Sequence, residues 1–93
     1  MINVILAEDH QSLIDGIKVF LEYEDGINVI GEANDGERLV ELVRLKRPHV
    51  VLTDIRMPKM DGITATKYIK SEVPECKVVA FTMFDQDDAV EQM

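Results

Sequence analysis

Basic residues are scarce in this chain: ten lysines and arginines face eighteen aspartates and glutamates, a net charge of −8 over 93 residues. Gripping a nucleic-acid backbone requires a positive face, so this segment is not expected to do so itself. A single cysteine, Cys76, excludes a disulfide framework and a paired-cysteine metal knuckle; it reads as a small buried or half-buried residue. No unbroken apolar stretch approaches the roughly 20 residues that span a bilayer, and the Met1-Ile2-Asn3-Val4 start lacks the basic flank of a secretory leader. A reducing cytoplasm is the expected location, with no membrane partner. There is no glycine-rich phosphate loop, and no Ser-His-Asp arrangement can be drawn. Asp85-Gln86-Asp87-Asp88 lacks the glycine and distal glutamate of a calcium loop, so helix capping is the better account of it.

What is present is an alternation of two apolar textures. Short unbroken runs at Val4-Ile5-Leu6-Ala7, Val50-Val51-Leu52 and Val78-Val79-Ala80-Phe81 read as strands buried on both faces, and Asn28 to Ala33 reads as a weaker one. Between them, Gln11 to Tyr23 puts Leu13, Ile17, Phe20 and Leu21 on one stripe and stops near Gly26. Glu37 to Leu45 repeats the period with Leu39, Val40, Leu42 and Val43, capped by Asn34 or Asp35 and followed by Pro48. Ile63 to Val73 makes a third helix, capped by Asp61 and ended by Pro74. A fourth begins at Asp85 and carries Ala89, Val90 and Met93. Strands alternating with helices imply right-handed crossovers and a parallel sheet within one domain.

The informative fact is what ends the strands. Ligands of open α/β sheets bind at the carboxyl ends of strands. The first strand runs into Glu8-Asp9, the third into Thr53-Asp54 and the fourth into Phe81-Thr82. If these strands are neighbours, their ends lie ~5 Å apart. Three carboxylates and a hydroxyl would then share one crevice. Carboxylates packed without a cation raise one another's pKa, and a hard cation such as Mg²⁺, which takes one or two carboxylates plus waters and a phosphate, relieves this. Such a site can position a phosphoryl group for in-line attack by a carboxylate. Any one of these acids alone is an ordinary surface residue; the coincidence carries the argument. His10 and His49 read as plain loop residues that complete no site.

Glu8-Asp9-His10, the run from Asp54-Ile55-Arg56-Met57-Pro58 to Lys59-Met60-Asp61-Gly62, and Phe81-Thr82-Met83-Phe84 together resemble the receiver domain of two-component response regulators, most nearly those of the NarL/FixJ class. The resemblance runs in register through the whole chain. It implies a flavodoxin-like (CheY-like) three-layer α/β fold with strand order 2-1-3-4, the fifth strand and fifth helix being absent, so that residues 1–93 form a receiver domain incomplete at its C-terminus. Asp54 becomes the phosphoacceptor, served by a histidine kinase. Asp9 becomes a direct Mg²⁺ ligand, Glu8 a weaker or water-mediated one, and Arg56 lends its backbone carbonyl. Thr82 becomes the switch hydroxyl, Pro58 and Gly62 shape the loop after Asp54, and Met83 is expected to restrict access to the site. Transcriptional output would pass through a C-terminal helix-turn-helix that is not in this chain.

The lysine that usually ends the fifth strand has no counterpart here; Lys59, Lys67, Lys70 and Lys77 are placed in loops or helices. Without a fifth strand the fourth becomes an edge, which makes edge pairing or segment swapping the expected route to a homodimer. The function implied is a phosphorylation-gated switch; the alternative is a phosphate-independent interaction module. Acidic strand ends disfavour a flavodoxin-like binder of an anionic cofactor.

Overall fold

A computed structural model describes residues 1–81; Thr82, Met83 and the expected fourth helix from Asp85 lie outside the described residues. The order is β1 (Ile2–Ala7), α1 (Gln11–Glu22), β2 (Ile27–Ala33), α2 (Gly36–Lys46), β3 (Val50–Asp54), α3 (Gly62–Glu72) and β4 (Lys77–Phe81). All neighbouring strands run parallel, in the sheet order β2-β1-β3-β4. That is the order the resemblance implied.

The strands alternate their side chains between two helical layers. Ile5 and Ala7 of β1, with Val51 of β3, meet Leu39, Val43 and Ile69 from α2 and α3. Val4 and Leu6 point the other way and meet Ile14 of α1. β1 and β3 hold the centre, and the four residues Val4 to Ala7 are all buried, as their unbroken apolar run requires. β4 differs from its reading as a strand buried on both faces. Only Val78 and Phe81 are half-buried, and Val79 is exposed. Lys77, expected in a loop or helix, is the first residue of this strand.

α1 also departs from expectation. Its buried residue is Ile14, with Ile17 and Leu21 half-buried beside it, whereas Phe20 is 71% exposed. Ile17 and Leu21 belong to the expected stripe; the sheet takes position 14 beside them and leaves position 20 outside. The chain leaves α1 through Gly26 at φ +89°, a left-handed conformation that glycine adopts without a steric penalty.

Helix ends follow local chemistry. Asp35 and Asp61 cap α2 and α3 by accepting the N–H of Arg38 (2.8 Å) and Thr64 (2.7 Å). Asp35, not Asn34, is therefore the cap of α2. At the far end of α3, Lys70 Nζ donates to the Cys76 carbonyl at 2.7 Å, over a buried Cys76 thiol whose pKa is raised by that burial. Arg44 of α2 forms a two-pronged pair with Glu72 of α3 at 2.6 and 2.9 Å. His49 takes a structural part, its Nδ1 accepting the Asn3 N–H at 2.8 Å.

Candidate functional site

The parallel register decides which strand ends meet. Ala7 pairs with Thr53 across β1 and β3, so the next residue on each strand, Glu8 and Asp54, emerges at the same edge. β4 stands beside β3 with Asp54 opposite Phe81. The carboxyl ends of the three strands thus converge as the sequence anticipated. Thr82, one residue further, lies outside the described residues.

Both acids are out of solvent. Glu8 is 0% exposed and Asp54 is 2% exposed, whereas Asp9 sits exposed at the rim. Glu8 Oε2 accepts the His10 backbone N–H at 2.6 Å and meets His10 Nδ1 at 2.7 Å. Glu8 Oε1 is buried with no hydrogen-bond partner. An unpartnered carboxylate oxygen in a protein interior is costly, and where native structures keep one, a water, an ion, stored strain or a functional role accounts for it.

Asp54 shares the strain. Burial first, and a hydrogen bond shared with the Glu8 carboxyl second, push its carboxyl above the ordinary 3.8, against the opposing pull of the Arg56 N–H; the Glu8 oxygen is without a donor only while both acids are ionised. That N–H reaches Asp54 Oδ1 only at 3.4 Å. Glu8 draws the His10 imidazole above its usual 6.5 by hydrogen bonding and by charge, with a smaller contribution from Asp9. His10, read from the sequence as a plain loop residue, is indeed exposed but acts as the partner of the buried glutamate.

The loop after Asp54 is held by close backbone contacts. A Cβ at Gly62 would fall 2.2 Å from the Asp54 carbonyl oxygen, so only glycine lets α3 begin here, and the Gly62 N–H donates to the Ile55 carbonyl at 2.8 Å. Within the loop, Met60 N–H donates to the Pro58 carbonyl at 2.8 Å around Lys59, whose φ is +69°. Gly62 thus has a measurable steric role, and Pro58 supplies the carbonyl that closes the turn.

Two further residues, Asn34, expected only as a helix cap, and Gly36, not singled out in the sequence, also touch this region. Asn34 Nδ2 donates to the Glu8 carbonyl at 3.1 Å. A Cβ at Gly36 would lie 1.9 Å from the Met60 carbonyl oxygen. Their only sequence signal is an Asn-Asp-Gly turn before a helix, which by itself reads as capping.

Among the described residues, no three His, Cys, Asp or Glu side chains form a ready-made metal cage. Mg²⁺ does not need one: one or two carboxylates suffice, with water and phosphate completing the shell. The donor set fits that ion, because Glu8 Oε1 is an orphaned acceptor beside a second buried carboxylate. Also among the described residues, no helix is long and apolar enough to cross a membrane.

Residues 4–93 match the family described as the response regulator receiver domain. Over 90 residues the chain is 44% identical to the transcriptional regulatory protein LiaR of Bacillus subtilis (strain 168), covering 97% of this chain but 43% of the relative. It therefore spans less than half the length of that curated relative. The solved receiver domain of the response regulator NarL from Mycobacterium tuberculosis superposes with a TM-score of 0.85 at 32% identity, over 98% of this chain and 73% of that one. RcsB from Salmonella enterica serovar Typhimurium, solved bound to promoter rprA in the presence of the phosphomimetic BeF₃⁻, superposes with a TM-score of 0.83 at 38% identity, over 91% of this chain and 44% of that one.

Proposed function

Because the chain belongs to the response regulator receiver domain family, we propose that Asp54 accepts a phosphoryl group and that the chain works as a phosphorylation-gated switch. The observation that carries this reading is the buried Glu8–Asp54 pair with its unpartnered Glu8 oxygen. Two acids held together at the carboxyl edge of a parallel sheet are poorly suited to rest and well suited to a cationic or phosphoryl guest.

Glu8, Asp9, Asp54 and the Arg56 carbonyl would hold Mg²⁺, which when bound neutralises the charge that builds on a transferring phosphoryl group. The chain's own part is positional. Asp54, fixed at the end of β3, presents a carboxylate oxygen that bonds to phosphorus as the donor's leaving group departs with the electron pair of the broken bond. Gly62 and Pro58 keep the following loop close to Asp54. Thr82 would bond a phosphoryl oxygen and carry the change outward, with Met83 restricting access.

The donor is a histidine kinase, and the setting is the cytoplasm. Output to DNA belongs to a helix-turn-helix domain in a longer product, a reading supported by relatives named as transcriptional regulators. Where no further strand covers β4, edge pairing or segment swapping with a second copy is the expected route to a homodimer.

The test is direct. The chain is incubated with Mg²⁺ and acetyl phosphate and examined by intact-mass spectrometry. One phosphoryl increment is expected, lost in Asp54→Ala and lost on chelation of the metal. An unchanged mass in the presence of Mg²⁺, or an increment that survives Asp54→Ala, overturns the assignment.

A further inference from the structure

We propose that the turn Asn34-Asp35-Gly36, which contributes no group to the phosphoryl site, is a brace that sets the spacing between the two loops bearing Glu8 and Asp54. The proposal rests on the reading of Asp54 as phosphoacceptor and adds positioning residues to it.

Three contacts, one from each residue of the turn, carry the inference. Asn34 Nδ2 donates to the Glu8 carbonyl at 3.1 Å, on the loop after β1. That carbonyl belongs to the residue whose side chain is buried with an unpartnered oxygen. Asp35, while capping α2, also faces Lys59 Nζ at 3.8 Å, on the loop after β3. Gly36 lies so close to the same loop that a Cβ would sit 1.9 Å from the Met60 carbonyl oxygen and 2.6 Å from its carbon. One turn therefore grips both acid-bearing loops, and the strand that leads into it is tied to the first of them, Glu8 N–H donating to the Ala33 carbonyl at 2.9 Å.

The physical consequence follows from what the loops must do. Residues that orient a ligand by hydrogen bonds and backbone contacts control affinity without touching the ion. Asn34 holds the main chain of Glu8, and Gly36 sets how far the Met60 carbonyl can retreat. The loop from Ile55 to Asp61 is thereby confined at Met60 by Gly36 and at its end by Gly62, whose own missing Cβ is equally required. A side chain at position 36 must push on backbone, which has no rotamer to yield. The displacement is passed along the loop toward Arg56 and Asp54.

The test uses Asn34→Ala, whose exposed side chain leaves the core intact, and Gly36→Ala, with Gly16→Ala as control because nothing lies within 4 Å of its added methyl. Amide NMR spectra without metal are expected to show shifts in Asn34→Ala at Glu8 to His10, and in Gly36→Ala at Ile55 to Gly62. Half-maximal Mg²⁺-dependent phosphorylation by acetyl phosphate is expected to need roughly tenfold more Mg²⁺ in both, with the control at the wild-type value. Urea midpoints separate this from a general loss of stability: a structural role alone would move the midpoint and leave the Mg²⁺ requirement of the folded protein unchanged. If Gly36→Ala fails to fold, Asn34→Ala decides. Shifts confined to residues 33–38, or an unaltered Mg²⁺ requirement in Asn34→Ala, overturn the brace. A wild-type chain that takes up no phosphoryl group overturns the phosphoacceptor reading instead, and the amide shifts then decide the brace alone.

Discussion

Ala7 and Thr53 are partners in the parallel ladder of β1 and β3, and this one pairing brings the Glu8 and Asp54 carboxyls to the same buried edge. The Asp54 carboxyl binds its proton more tightly in the fold than at its ordinary 3.8. The folded state therefore carries more protons than the unfolded one between 3.8 and the raised value, and stability falls as pH rises through that window. Above it the cost is fully present. Asp54→Asn removes a charge that the interior resists, so the variant is expected to be more stable at neutral pH without metal, by on the order of 1 kcal/mol. Urea unfolding across a pH series checks this: the gain shrinks toward acid, and a variant no more stable than wild type at neutral pH contradicts it.

His10 reports on the same pair from outside. Its pKa is raised above 6.5 by Glu8, so its stabilising contact is complete below 6.5 and is lost as pH rises through the folded value. An NMR titration of the ring is expected to give a midpoint above 6.5, falling back toward it in Glu8→Gln. Saturating Mg²⁺ is expected to lower the midpoint too, because a cation beside Glu8 opposes a second positive charge. A midpoint indifferent to both changes would separate His10 from Glu8.

Two glycines should respond oppositely to the same methyl group. Gly62→Ala places a Cβ 2.2 Å from the Asp54 carbonyl oxygen and 2.9 Å from the Ile55 Cα, so the start of α3 must move, at a cost of about 1–3 kcal/mol. Gly16→Ala, within α1 and with nothing inside 4 Å, is expected to stabilise by up to about 1 kcal/mol. Chemical denaturation of both variants measures the contrast; equal effects would remove the steric account of Gly62.

α1 offers a second contrast, between a buried and an exposed apolar residue. Ile14→Ala is expected to cost about 2–5 kcal/mol, since Ile14 is 0% exposed against Val4 and Leu6. Phe20→Ala should change stability by no more than about 0.5 kcal/mol. A large loss at Phe20 would mean that its ring is covered in solution.

That helix shows where sequence reasoning stops. Strand identity and the acids at strand ends were legible because each is a local property: an apolar run ends and a carboxylate follows. The face of α1 that meets the sheet was legible only in part: Ile17 and Leu21 of the expected stripe do pack on the core, but the sheet takes Ile14 and leaves Phe20 outside, a choice that only the crossing of helix and sheet makes. Gly36 was illegible for a different reason. Its lack of a side chain matters only against Met60, a neighbour made by the fold. Asn34 looked like a cap, and its amide instead reaches the Glu8 carbonyl on the loop after β1. The buried status of Glu8, against the exposure of Asp9 beside it, likewise came from packing.

The thiol of Cys76 sits sealed where α3 hands over to β4, its pKa raised by burial and its carbonyl held by Lys70. A sealed thiol of this kind is a clock. An alkylating reagent can reach it only while that corner is open, so the labelling rate counts openings of one particular joint and not of the whole molecule. Timed with and without phosphodonor, the clock would show whether occupation of the acid pair at one end of the sheet slows breathing at the other.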